Sequence, residues 1–190
     1  MLCLDEFALQ STPNSGHAWA EKNTSPVVPS DERHRQRING FLSVDLMSGA
    51  TQADFRPRSK TEDAVFVIAS LVLRYARWGY RHLLLVLDNC RIHGEGMKAA
   101  LAELLAEIAD TRGIVVEFLH TPRYSPNFNP AEYLIHWVRQ NALYHLPVTF
   151  TLQDKAARIQ SHLAQGPPFG PEPMRNLLRH IYRLPKNGWS

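Results

Sequence analysis

Residues Leu83 to His93, LLLVLDNCRIH, form an apolar run that stops at an acid, an amide and, five residues after the acid, a histidine. Leu84, Leu85, Val86 and Leu87 are too uniformly apolar for a strand with one wet face, which predicts a central strand carrying Asp88 at its C-terminal end. A carboxylate there is costly unless it is hydrogen-bonded, paired or bound to a cation, and no lysine is adjacent in the chain. The opening LCLDE repeats the pattern: Leu2, Cys3 and Leu4 run into Asp5 and Glu6, predicting a second core strand that ends in acid. The third acid is Glu132, in the first turn of a helix predicted to start at Pro130 with Asn129 as its cap. Each acid also has a purely structural reading, since Asn129 and Glu132 fit a capping box and Asp88 with Asn89 can begin a turn. Their conjunction adds something. Three carboxylates meeting within about 5 Å would repel by roughly 3 kcal/mol per pair at an effective dielectric near 20, a repulsion that a divalent cation removes. Hard oxygen ligands suit Mg²⁺ or Mn²⁺, and two such ions about 4 Å apart activate an attacking hydroxyl and stabilise the departing oxygen of a phosphodiester.

The elements that must position these acids can be read from pattern. RQRINGFLSVDLMSGATQADFRPR alternates apolar and polar residues about Ser48-Gly49, predicting a strand, a tight turn and a returning strand. Thr61 to Tyr80 has apolar residues at helical spacing, with Thr61 as the expected N-cap and Gly79 as the stop. After the central strand come a predicted helix from Gly96 to Ala109 and a strand IVVEFLH introduced by Gly113. TPRYSPNFNP is dense in proline and asparagine and must be a loop, delivering the chain to the Pro130 helix. Two more helices are expected, Leu152 to Leu163 and Pro173 to Leu184, joined by the linker-like QGPPFGP. Three strands followed by alternating helix and strand predict an α/β fold, a mixed sheet flanked by helices. The expected division is a domain over residues 1–165 and a basic helical tail over 166–190.

Length and composition bound the rest. A chain of 190 residues with 44% apolar content can bury one good-sized core. Its formal charge of +3 and pI of about 9.0 allow a polyanionic partner without requiring one. Cys3 and Cys90 lie in apolar segments, predicting buried, reduced thiols and not a disulfide framework or a zinc cluster. With no apolar run near the roughly 18 residues of a membrane helix and no signal-like start, a soluble cytoplasmic chain without a membrane partner is expected. Arg33, Arg35 and Arg37, then Arg56, Arg58 and Lys60, and further on Arg175, Arg179, Arg183 and Lys186, are candidate phosphate contacts, with a solvated surface as the alternative. Trp19 suits either base stacking or core cover.

Four stretches, LCLDE, HAWAEKNTSPVV, LLLVLDNCRIH and TPRYSPNFNPAEYLIHWVRQ, resemble the catalytic core of the mariner-like DDE transposases of bacterial insertion sequences. The resemblance spans about residues 2 to 145 and is sharpest at Asp88, Asn89 and His93 and from Tyr124 to Glu132. It implies a ribonuclease H-like fold with a mixed five-stranded sheet, in which Asp5, Asp88 and Glu132 hold two Mg²⁺ (or Mn²⁺) ions. It implies hydrolysis of DNA at an element's ends, followed by attack of the freed 3′-hydroxyl on target DNA. The implied partners are DNA, as transposon ends and target, and a second copy in a homodimer, in a nucleoid-associated setting. Asn89 would donate a hydrogen bond behind the second acid. His93 would contact a phosphate or leaving group, or be a satisfied structural histidine. Tyr124, Ser125 and Asn129 would shape the loop that presents Glu132. Two departures stand out. Forty-three residues separate Asp88 from Glu132, more than in the best-known mariner-like members. Family members also carry an N-terminal helix-turn-helix region, for which there is no room before Asp5, so an N-terminal partner polypeptide carrying it is expected. The alternative readings are a catalytically inactive or accessory DNA-binding remnant of a split transposase, and a ribonuclease H-like nuclease.

Overall fold

The apolar opening does not stop at its acids. Strand β1 (Leu2–Gln10) runs through Asp5 and Glu6, correcting the expectation of a strand that ends there. The reason is its neighbour β2 (Arg37–Asp45), which pairs with it antiparallel over the whole length, from Leu2 opposite Asp45 to Gln10 opposite Arg37. β2 turns back into β3 (Thr51–Arg56) through the Ser48-Gly49 region, as the alternation predicts. β4 (His82–Leu87) and β5 (Val115–His120) add in parallel, giving a five-stranded mixed sheet in the order β3-β2-β1-β4-β5. This computed structural model describes residues 1–12, 21–24, 36–144, 146, 149–166 and 168–183.

Successive strand side chains face opposite ways, and β1 divides its apolar residues accordingly. Leu2 and Leu4 join the core under α1 (Thr61–Arg77) and α2 (Glu95–Glu107). Cys3, Phe7 and Leu9 join the core on the other face, under α3 (Pro130–Ala142), α4 (Leu152–Ala164) and α5 (Pro171–Tyr182). The alternation matters for function, because it sends Asp5 toward the α3 face and Glu6 toward the α2 face. α5, within the basic tail, shares the second of these cores with α3 and α4 through Met174 and Leu178.

Several local expectations shift. Thr61 is the first residue of α1, and the cap is Lys60, whose N–H donates to Asp63 Oδ2 at 3.2 Å. The helix stops at Arg77, and Gly79 follows at a φ of 89°. α5 starts two residues earlier than expected and ends at Tyr182, where Arg183 turns left-handed at φ 50°; Leu184 lies outside the described residues. Cys3 is buried, but Cys90 is exposed, because the chain leaves the sheet at Asp88 before reaching it. Lys155 of α4 is 4% exposed and donates to the carbonyls of Gln10, Ser11 and Thr12 at 2.8, 2.8 and 3.0 Å, tying down the end of β1. No described helix is long and apolar enough to cross a membrane.

Gly49 sits at φ 75°, and a Cβ there would lie 1.7 Å from the carbonyl oxygen of Phe169. Both the backbone angle and the packing therefore require glycine. Gly49→Ala is expected to lower stability by about 2 kcal/mol, read as a reduced urea midpoint at unchanged slope; an unchanged midpoint would show that the β2–β3 turn does not bear on the α4–α5 link.

Candidate active site at the strand ends

The parallel pairing of β1 with β4 consists of Leu2 beside Leu85 and Cys3 beside Val86. Carrying that register two residues further sets Asp5 beside Asp88, the first residue beyond β4. Asp5 is only 7% exposed and is held on both oxygens. The Glu6 N–H donates to Oδ1 at 2.8 Å, and the Asn129 side-chain amide donates to Oδ2 at 3.0 Å and to the Leu4 carbonyl at 3.2 Å.

Asn129 also caps α3, its Oδ1 accepting from the Ala131 N–H at 3.1 Å. One buried amide thus fastens the start of α3 to the middle of β1. The capping box expected as the structural reading of Glu132 is not formed. The Asn129 N–H that such a box would use donates instead to the Pro126 carbonyl at 2.8 Å. Glu132 joins Asp5 and Asp88 in lining a cleft of about 540 Å³, together with Asn89, Asn129 and Tyr124. Ser125 lines it too, as do residues the sequence did not single out, Cys90, Thr121, Pro122, Arg123 and Pro126.

Electrostatics sets the three acids apart. Burial, reinforced by the nearby charges of Glu132, Glu6 and Asp88, pushes the Asp5 carboxyl up to about 7. Asp88 moves the other way, held below the usual carboxylate range by its hydrogen bond from His93 and, against the cost of burial, by the Cys90 N–H at 2.9 Å. His93 is fully buried, with Nδ1 2.8 Å from Asp88 Oδ1 and Nε2 2.9 Å from Glu6 Oε1. Burial alone would drive its pKa down; the bonds to Asp88 and Glu6 outweigh it and hold the imidazole at about 10. At neutral pH it is therefore a cation donating from both nitrogens.

Glu6, Asp88 and His93 offer ligand atoms within 4.8 Å of one another, a spacing that a metal could span. Each ring nitrogen of His93 faces one of the two carboxylates, so the imidazole itself bridges Glu6 and Asp88. At 0% exposure His93 presents no surface to a phosphate. Glu6 was missed because its partner is 87 positions away; the available signal was a second acid beside Asp5 on the opposite strand face. Around them, Asn89 donates its side-chain amide to the Thr121 carbonyl and His120 Nδ1 donates to the Asp88 carbonyl at 2.9 Å, fixing the Asp88 turn to the end of β5.

The basic candidates lie further off. Arg37 pairs with Gln10 and Arg56 with Asn39, so these, with Arg58 and Lys60, sit on the end of the sheet toward which β1 runs. Gln10 is five residues past Asp5, roughly 16 Å along a strand. Arg58, Lys60 and Arg37 are exposed and Arg56 half-buried. Arg33, Arg35, Lys186 and Trp19 lie outside the described residues.

Without metal, folded Asp5 binds its proton more tightly than the unfolded chain does, so its ionisation subtracts from stability as pH rises from 3.8 toward about 7. Asp5→Asn should therefore raise the metal-free melting temperature by roughly 3–8 °C near pH 8, with the gain vanishing near pH 3; melting curves that coincide near pH 8 would contradict the burial of Asp5 among other acids. His93 has the opposite sign: its stabilisation is complete below 6.5 and is lost as pH rises through about 10. His93→Ala is expected to cost about 2 kcal/mol in urea unfolding at neutral pH, allowing for the partial exposure of Asp88, and markedly less beyond that upper limit.

Residues 1–151 match the family described as DDE superfamily endonuclease. Among solved structures, the chain is similar to the Mos1 strand transfer complex, at 14% identity and a TM-score of 0.67, covering 96% of this chain and 52% of that one. It is likewise similar to the mariner Mos1 paired end complex with Mg, at 14% identity and a TM-score of 0.68, covering 96% and 53%. A Mos1 paired-end complex with the left transposon end aligns at 15% identity and a TM-score of 0.64, covering 95% and 53%. The chain thus spans about half the length of these structures, and no curated protein matches it. The structural likeness establishes the ribonuclease H-like α/β fold. With the match extending over most of its length, the chain belongs to the DDE superfamily endonucleases.

Proposed function

We propose that this chain is the catalytic domain of a DDE-type transposase, cutting DNA at the ends of a mobile element and joining the freed 3′ end to a target. The single observation that carries this reading is that Asp5, Asp88 and Glu132 line one cleft, where burial first, and then the charges of Glu132 and the other nearby acids, lift the Asp5 carboxyl to about 7. All three offer hard oxygen donors, which fits Mg²⁺ or Mn²⁺ better than a softer ion. Bound there as a pair, such ions would activate the attacking oxygen and stabilise the leaving oxygen of a phosphodiester. The Mos1 complexes that resemble this chain include one with Mg and one with Mn.

The chain's own residues prepare that site. Asn129 and the Glu6 N–H fix both oxygens of Asp5. His93 and the Cys90 N–H converge on Asp88 Oδ1, leaving Oδ2 without a hydrogen-bond partner among the described residues. Holding one oxygen and freeing the other aims the carboxylate, as outer hydrogen bonds commonly do for metal ligands. Glu132 completes the set, and Asn89 secures the turn behind Asp88. Arg37, Arg56, Arg58 and Lys60, with Arg33 and Arg35, are assigned to phosphate contacts on the DNA flanking the cleft. A homodimer, an N-terminal partner polypeptide carrying a helix-turn-helix region and a nucleoid-associated location complete the proposal.

In Mg²⁺ or Mn²⁺, the protein is expected to nick element-end DNA and to join a pre-cut 3′ end to target DNA. Asp88→Ala and Glu132→Gln should each reduce both steps on the order of 10³-fold, about 4 kcal/mol of transition-state stabilisation. Cleavage without joining would move the assignment to a plain nuclease, and equal rates for wild type and Asp88→Ala would end it.

A further inference from the structure

Among the described residues, several exposed aromatic rings lean on another ring. Trp78 and Tyr80 flank Tyr75 at centroid distances of 5.1 and 5.3 Å, and Phe128 stacks on Tyr182 at 6.2 Å. Tyr124 is different. It is 101% exposed and has no ring neighbour or hydrogen bond among the described residues, yet it stands on the lip of the cleft that holds the three acids. Its backbone is left-handed at φ 57°, a conformation that costs a bulky residue energy and that burial does not repay here. Beside it on the lip is Arg123, exposed and without a side-chain partner among the described residues. The Ser125 hydroxyl donates to the Arg123 carbonyl at 3.2 Å, bracing the turn that carries both.

The cleft itself limits what can enter. Its volume of about 540 Å³ suits one small-molecule-sized group, and Asp5 lies almost buried within it. A cleft of that size can seat one nucleotide but not a base pair, so a base that reaches into it beside Asp5 is one released from its partner. An unpaired base exposes a flat face, and its phosphate carries the charge complementary to a guanidinium.

We infer that Arg123 and Tyr124 form a nucleotide grip, in which the Tyr124 ring stacks on an unpaired base next to the scissile phosphate and Arg123 holds that nucleotide's backbone. The grip favours no particular base, because every base offers a stacking face. It rests on the reading of the cleft as a DNA-cutting site and adds to it the state of the substrate: locally single-stranded at the cut.

The test is equilibrium binding in Ca²⁺, by fluorescence anisotropy, to three probes: a duplex with a single-stranded 3′ overhang, the same duplex with an abasic overhang, and a blunt duplex. Wild type should prefer the intact overhang. Tyr124→Ala should bind it about 5- to 150-fold more weakly and lose little on the abasic probe, while Tyr124→Phe keeps wild-type binding. Arg123→Ala should weaken binding to both overhang probes and flatten the salt dependence. Tyr124→Gly, which relieves the backbone, should melt no lower than wild type while showing the same binding loss. Equal loss on intact and abasic probes, wild-type binding by Tyr124→Ala, or no preference of the wild type for an overhang would each overturn the grip. Cleavage of the overhang probe in Mg²⁺ is scored separately. Its absence alongside the expected binding pattern would count against the transposase reading and leave the grip standing.

Discussion

Two adjacent residue pairs in the middle of the sheet set the geometry of the site. β1 pairs with β4 only at Leu2 with Leu85 and Cys3 with Val86, and the two chains then part. β4 ends one residue before Asp88, whereas β1 goes on under the support of β2, so a gap opens at the point where the register aligns the two acids. Had β4 continued, Asp88 would be a sheet residue with its backbone paired, and no cleft would exist. The third acid arrives by another route. Asn129 is shared between the α3 cap and Asp5, so the position of Glu132 is referenced to the same strand. A single buried amide therefore converts two elements 124 positions apart in sequence into one rigid frame.

Much of this was legible from residue types. The unbroken apolar run before Asp88 required a central strand, and Asn129-Pro130 fixed the start of α3 to the residue, because the cap and the proline each suit one position only. The Ser48-Gly49 turn was equally plain. What escaped were features decided by partners distant in sequence. β1 outran its acids because β2 supplies hydrogen bonds along its full length, and nothing within LCLDE announces that. Cys90 looked apolar by its neighbours, but the strand had already broken at Asp88. The Glu132 capping box failed because Pro126, in the loop before it, took the N–H that the motif needs.

The pairing of Glu6 with His93 gives the site an electrostatic back wall. Carboxylates gathered in a poorly solvated cleft raise one another's proton affinity, and Asp5 bears most of that burden. Asp88 is spared it by a buried imidazolium whose charge is sustained from behind by Glu6. Neighbouring acids on one strand thus serve opposite ends: Asp5 faces the cleft and adds negative charge there, while Glu6, on the other face, stabilises the cation that keeps Asp88 ionised. A strand's two-residue repeat is enough to accomplish this division.

The family match ends at residue 151, yet the loop that delivers Glu132 is clasped from beyond it. The Tyr182 hydroxyl, near the end of α5, donates to the Phe128 carbonyl at 2.9 Å, and the two rings stack. Phe128 lies one residue before the amide that anchors Asp5. The distal helix thereby acts as a buttress outside the shared catalytic body, where sequence drift in a peripheral segment can trim the placement of a central carboxylate without altering any of the acids themselves.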